Sequence, residues 1–164
     1  MSRTIVGVMG PGRGASREVS AAAHELGRLI ALQGWVLLTG GRDAGVMAAA
    51  SSGAKEAGGI TVGILPGADT RGASADVDIP IITGLGQARN NINVLSSSIV
   101  IACGMGAGTA AEIALALKAG KHVILLHCGL EAAAFFQSLS QERVFIAEQA
   151  SEAVTIAAKL LGAT

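Results

Sequence analysis

The chain has 164 residues, no net formal charge (12 Lys and Arg against 12 Asp and Glu), 51% hydrophobic residues and 2% aromatics. That length fits one domain spanning residues 1–164, and the charge balance argues against nucleic acid, whose phosphates are met by basic surfaces. No apolar run reaches the roughly 18 residues of a membrane span, and the opening MSRTIVGVMGPG runs into a glycine turn instead of a signal-peptide cleavage site, so a cytoplasmic protein is expected.

Short β-branched runs alternate with helical patterns. TIVGVM (4–9), WVLLTG (35–40), TVGILP (61–66), IPIIT (79–83), SIVIAC (98–103), HVILLH (122–127) and RVFIA (143–147) read as strands covered on both faces. Helices are expected in SREVSAAAHELGRLIALQG (16–34), GVMAAASSGAKEAGG (45–59), QARNNINVLSSS (87–98), AAEIALALKAG (110–120) with Thr109 as N-cap, and SEAVTIAAKLLG (151–162) with Ser151 as cap. GADTRGASADVD (67–78) has no apolar period and reads as a mobile surface loop. Strand and helix in alternation give an α/β fold, Rossmann-like and doubly wound: a mainly parallel sheet of six to seven strands with helices on both faces. The small side chains bury little area each, so part of the apolar surface is expected in a homodimer or homotetramer.

Ligands of such sheets bind outside the carboxyl ends of the strands. Glycine stands there three times, in GPGRGAS, TGGRDAGVM and CGMGAGT. One such loop is as well explained by a tight turn, but three at one sheet edge point to a small anionic, phosphate-bearing ligand. GPGRGA also fits G-x-G-x-x-A, yet the ribose-binding acid expected after the second strand is missing, which argues against a nicotinamide cofactor. Arg89, Asn93 and Ser96 share a helix face by their spacing. Cys103 and Cys128 lie in apolar runs and read as buried thiols; His24, His122 and His127 have no partner at catalytic or metal-ligand spacing, so no resident metal site is expected.

TGGRDAGVMAAASSGAKEAGGITVGILPG (39–67) resembles the GGG-x-x-G-[LV]-M…G-[LIV]-x-P signature of the lonely guy (LOG) proteins. Arg89 with GMGAGTAAE (104–112) resembles that family's M-x-x-R-K followed by P-G-G-x-G-T-x-x-E, with the arginine and glutamate at the same separation. GVMGPG, LLTGGRDAGVM, GLGQARNNINVLSSS and VIACGMGAGTAAEIALALK are more similar to a branch of that superfamily, the molybdenum cofactor carrier proteins. Arg42, Asn90 and Gly104-Met105 depart from the hydrolase signature, which has Gly, Lys and Pro-Gly there; Arg89, Thr109 and Glu112 keep it.

The resemblance implies a carrier that binds, stores and protects the molybdenum cofactor, a phosphorylated molybdopterin, with molybdoenzymes as recipients. Molybdate or a nucleotide phosphate would suit the same loops. The expected contacts are Gly10, Pro11 and Gly12; Thr39, Gly40, Gly41, Arg42, Gly45, Val46 and Met47; Arg89, Asn90 and Asn93; and Gly104, Met105, Gly106, Ala107, Gly108, Thr109 and Glu112. Backbone amides of 40–45 and 104–109 would hold the oxyanions. The alternative is a LOG-like nucleoside 5′-monophosphate phosphoribohydrolase, an N-glycosidic enzyme with Arg89 and Glu112 as catalytic residues. A third reading is a nucleotide-sensing module without chemistry.

Overall fold

The seven apolar runs form seven strands: β1 (Ile5–Met9), β2 (Val36–Thr39), β3 (Ile60–Leu65), β4 (Ile79–Ile82), β5 (Ile99–Cys103), β6 (Val123–Leu126) and β7 (Val144–Ala147). The computed structural model describes residues 3–162. All pairings are parallel, in the order β4-β3-β2-β1-β5-β6-β7. The crossovers carry α1 (Arg17–Leu32), α2 (Gly45–Glu56), α3 (Arg89–Ser96), α4 (Ala107–Lys118) and α5 (Leu130–Leu139), with α6 (Ala150–Gly162) closing the chain. This is the Rossmann-like, doubly wound α/β architecture. Among the described residues, no helix is long and apolar enough to cross a membrane.

Alternation along the strands divides the core in two. Val6, Val8, Ile99, Ile101 and Cys103 face α1, α2 and α6, where they meet Leu26, Ile30, Ala50, Ala54, Ala153 and Ala157. Val100, Ala102, Val123 and Leu125 face α3, α4 and α5, where they meet Val94, Ile113, Ala116 and Phe136. The inner strands are covered on both faces, as their unbroken apolar runs require, while the edge strands are less so: β7 exposes Ile146. All four residues of β4 are exposed. It is an edge strand, and Pro80, which has no N–H to donate, suits that position.

Four further features differ from expectation. Helix α4 starts at Ala107, because Gly106 takes the extended N-cap conformation (φ −163°, ψ 169°) and its carbonyl accepts from the Ala110 amide at 2.8 Å; Thr109 is therefore inside the first turn, not at its cap. Ser151 is likewise inside α6, whose first turn is tied down by the Glu148 amide donating to Glu152 Oε2 at 2.8 Å. Helix α5 was announced by no apolar period: Leu130, Phe135 and Leu139 are exposed, while Ala133 and Phe136 carry its contact with the sheet. The segment 67–78 is anchored, since Ser74 and Asp43 amides donate to Gly41 and Gly72 carbonyls, both at 2.9 Å, and Asp78 accepts from the Thr61 amide at 3.0 Å.

Helices α1 and α2 cross through glycine. A Cβ at Gly27 would lie 1.9 Å from the Ala50 carbonyl oxygen, and one at Gly53 would lie 1.9 Å from that of His24. Backbone is touching backbone, so neither neighbour can yield by changing rotamer. Gly53→Ala should therefore destabilise the fold by roughly 1–3 kcal/mol net of its better helix propensity. Thermal melting checks this; an unchanged or raised midpoint would show that the helices separate freely.

Candidate functional site

Strands β1 and β5 are neighbours, yet the chain leaves them toward opposite halves of the sheet, and their carboxyl ends open a crevice. A cavity of about 310 Å³ lies there. Its walls are Gly10, Pro11 and Gly12 after β1; Gly40, Arg42 and Met47 around the β2 turn; Gln87, Arg89 and Asn90 at the start of α3; and Gly106, Ala107, Gly108, Thr109 and Glu112 at the start of α4. Val8, Met9 and Pro66 complete it.

The remaining expected contacts stand behind this wall. Thr39 Oγ1 accepts from the Gly41 amide at 3.0 Å, and the Val46 amide donates to the Pro11 carbonyl at 3.1 Å, tying the β2 turn to the β1 loop. Gly45 has φ 50°, and a Cβ there would lie 2.0 Å from the Gly12 carbonyl oxygen, so this contact requires glycine. The Gly104 amide donates to Leu126 O at 2.8 Å, and Met105 packs against the α3–α5 side of the core. Asn93 sits beneath Glu112.

Two expectations about this site change. The amides of Gly41, Asp43 and Ala44 are already engaged, by Thr39 Oγ1 and by the carbonyls of Gly72 and Arg42, and so is that of Gly104. The amides of Ala107, Gly108 and Thr109, by contrast, have no acceptor within α4 and carry the positive end of its dipole. The buried row on α3 is Arg89, Asn93 and Ser97, not Ser96: Ser96 is exposed, while Ser97 Oγ donates to the Asn93 carbonyl at 2.7 Å. Gln87 and Pro66 line the cavity besides the expected contacts, and both fall within the motifs that carry the resemblance.

The floor of the cavity is charged and buried. Arg89 is 6% exposed; its Nη1 donates to Asn90 Oδ1 at 2.7 Å and its Nη2 to the Gly40 carbonyl at 3.3 Å. A Cβ on Gly40 would lie 2.9 Å from that Nη2, so a bare backbone makes room for the guanidinium. Glu112 is 7% exposed, and its Oε1 accepts from Asn93 Nδ2 at 2.9 Å. Burial pushes its carboxyl up to about 7, against the opposing pull of the Asn93 hydrogen bond and the Arg89 charge. Burial also lowers the Arg89 pKa, and Glu112 opposes that shift. Three buried polar atoms here have no hydrogen-bond partner: Arg89 Nε, Asn93 Oδ1 and Thr109 Oγ1. Such atoms are costly to bury unless a bound group or water meets them.

Away from the cavity, His24 Nε2 pairs with Glu56 at 3.1 Å, His122 makes an edge contact with Phe145, and His127 Nδ1 lies 3.6 Å from Glu18. Both cysteines are buried free thiols held in the protonated form by burial, Cys103 at about 12 and Cys128 at about 11.

Because the folded state raises the Glu112 pKa, both states are protonated below about pH 4.5 and the group then contributes nothing to stability differences. As pH rises to 7 the unfolded chain ionises first, and the fold loses up to about 3 kcal/mol. Glu112→Gln, which keeps an acceptor for Asn93, should therefore gain stability relative to the parent between pH 5 and pH 8. Parallel melts at the two pH values test this, and a difference independent of pH would refute it.

The chain is similar to two solved structures over nearly its whole length and to a further protein over part of it. The molybdenum cofactor binding protein from the phototrophic bacterium Rippkaea orientalis is 53% identical, with a TM-score of 0.97 over 98% of this chain and 99% of that one. The molybdenum cofactor carrier protein from Chlamydomonas reinhardtii is 53% identical, with a TM-score of 0.95 over 99% and 100%. An uncharacterized protein from Archaeoglobus fulgidus is 46% identical over 121 residues, 74% of this chain and 78% of its own. With residues 3–154 matching the SLOG cluster4 family, this chain belongs to that family.

Proposed function

We propose that this chain is a carrier that binds, stores and protects the molybdenum cofactor in the cavity at the end of β1 and β5. The observation that carries the proposal is the convergence of the open first turn of α4, buried Arg89 and Arg42 on one cavity, in a chain 53% identical to a carrier protein. The cofactor offers oxyanions at its phosphate and at its oxo-metal, and the donors present suit them: the amides of Ala107, Gly108 and Thr109 and the two guanidinium groups. Charge-assisted hydrogen bonds contribute about 1.5–3 kcal/mol each. Four of them supply the roughly 8 kcal/mol of a micromolar complex after ordering costs. The metal arrives with its organic ligand, so the chain supplies second-sphere donors and a cover from water.

A phosphoribohydrolase remains the second reading, favoured by a Glu112 that titrates near neutrality beside Arg89, as general acid–base chemistry needs. Arg42, where the hydrolase signature has glycine, favours the carrier because it adds a cation for a more anionic ligand. Exposed apolar side chains at the two sheet edges, Ile79, Ile81 and Ile82 on one and Phe135, Leu139 and Ile146 on the other, support the further proposals of a homo-oligomer and of docking to recipient molybdoenzymes.

The purified protein should retain the cofactor and transfer it to a cofactor-free nitrate reductase. Arg42→Ala, at an exposed position, should weaken retention about tenfold without lowering the melting temperature. No retention, or release of free base from adenosine monophosphate instead, would sink the carrier. Light scattering should give a multiple of 16.3 kDa; a monomer mass would refute the assembly.

A further inference from the structure

An anion-binding cavity is an odd place for a buried carboxylate. Glu112 lies on its floor, 7% exposed, among groups that otherwise donate hydrogen bonds. The nearby cation does not neutralise it by contact. Arg89 gives its Nη1 to Asn90 and its Nη2 to the Gly40 carbonyl, and the two charges make no direct ion pair. Asn93 fixes the carboxyl plane by donating to Oε1, and Ser97 in turn holds the Asn93 carbonyl. Oε2 receives no hydrogen bond from the described residues, and it is not sealed from the cavity as Thr109 Oγ1 and Asn93 Oδ1 are. The carboxylate is thus oriented, only half satisfied, and held apart from its counter-charge.

We propose that Glu112 is the specificity-determining residue of the cavity: it reads a planar edge of N–H donors on the ligand, the 2-amino-pyrimidinone edge of a pterin, while the α4 amides and the arginines hold the oxyanions. This rests on the carrier reading and adds the part of the ligand that anion binding alone leaves unread. Oε2 is free to accept one ring N–H, and the second lone pair of Oε1, whose first is taken by Asn93, is the acceptor for the parallel one. A site built to pair such donors rejects a ring that lacks one, because a buried charge is then left without its partner.

The proposal sets a sign for pH dependence. The charged groups lining the cavity are Arg42, Arg89 and Glu112, and burial pushes the Glu112 carboxyl up to about 7. Its α3 neighbours are Arg89 and the neutral Asn93, and Thr109 is its neutral neighbour on α4. Pterin must find the carboxylate ionised, so its affinity should fall roughly tenfold as pH drops from about 7.5 to 6. Sulfate, a dianion throughout that range, should bind more tightly over the same drop, because a protonated Glu112 no longer repels it.

The test is titration of the full chain with pterin, with lumazine (the same bicycle with a carbonyl in place of the 2-amino group) and with sulfate, read by ring fluorescence and calorimetry. The expected result is a preference for pterin over lumazine of about tenfold or more in the parent, opposite pH slopes for pterin and sulfate, and loss of the preference in Glu112→Gln with sulfate affinity kept or raised. Equal affinity for the two rings, no binding of either, or a preference that survives in Glu112→Gln overturns the inference. The comparison in the parent protein needs no variant, so a poorly folded mutant cannot mask the answer. Cofactor retention without a pterin preference would remove this inference alone; a pterin preference without cofactor retention would remove the carrier alone.

Discussion

The chain reverses its winding direction between β1 and β5, and the site depends on that reversal. Because β1 feeds α1 on one side of the sheet and β5 feeds α4 on the other, the two adjacent strand ends cannot be covered by either crossover. A crevice is left with the amino end of α4 pointing into it. The rest of the sequence around it narrows that crevice. Val46 ties α2 to the β1 loop, Gly45 lets those backbones touch, and Gly41 is pinned from behind by Ser74. The 67–78 segment thereby braces the turn that carries Arg42.

Charge in this cavity is held by neutral neighbours. Burying an ion away from water is costly, and direct pairing of Arg89 with Glu112 would offset part of that cost. Asn90, the Gly40 carbonyl and Asn93 hold the two groups apart instead. The consequence is a high carboxyl pKa and three orphaned polar atoms within one small volume. That pattern is common where stability has been traded for ligand contacts, since an apolar or fully paired floor would be more stable and could bind nothing.

The strands were legible in the sequence because parallel strands covered on both faces are unbroken apolar runs, and seven apolar runs became seven strands, although the edge strand β4 is exposed. The loops were legible because glycine gathers where backbone crowds backbone, and Gly10, Gly12, Gly40, Arg89, Thr109 and Glu112 line one cavity. What escaped depends on partners distant in sequence. Nothing near residues 41–44 announces that Gly72 will accept the Asp43 amide, so those amides read as free. Thr109 resembles a cap by residue type, while the cap is Gly106, whose backbone does the work without a side chain. Helix α5 shows no period because Leu130, Phe135 and Leu139 face outward and only Ala133 and Phe136 face the sheet, so apolar residues stand on both sides of the helix. The titration of Glu112 was invisible because it follows from burial.

The balance between carrying and cutting turns on what holds Glu112. A hydrolytic base must reach a water or a sugar carbon, and its proton must then leave. Here one carboxylate oxygen is fixed by Asn93, the other has no protein donor, and Arg42 adds a cation to the cavity wall. A group so restrained orients a ligand well and moves a proton poorly. A carrier needs the first property and is harmed by the second, because any reaction would destroy its cargo. Strength must also stop short of permanence, since a cofactor held by every donor available would not be handed on. Leaving Asn93 Oδ1 and Arg89 Nε buried behind the floor keeps part of the polar inventory out of reach of the ligand and sets a ceiling on how tightly the cavity holds.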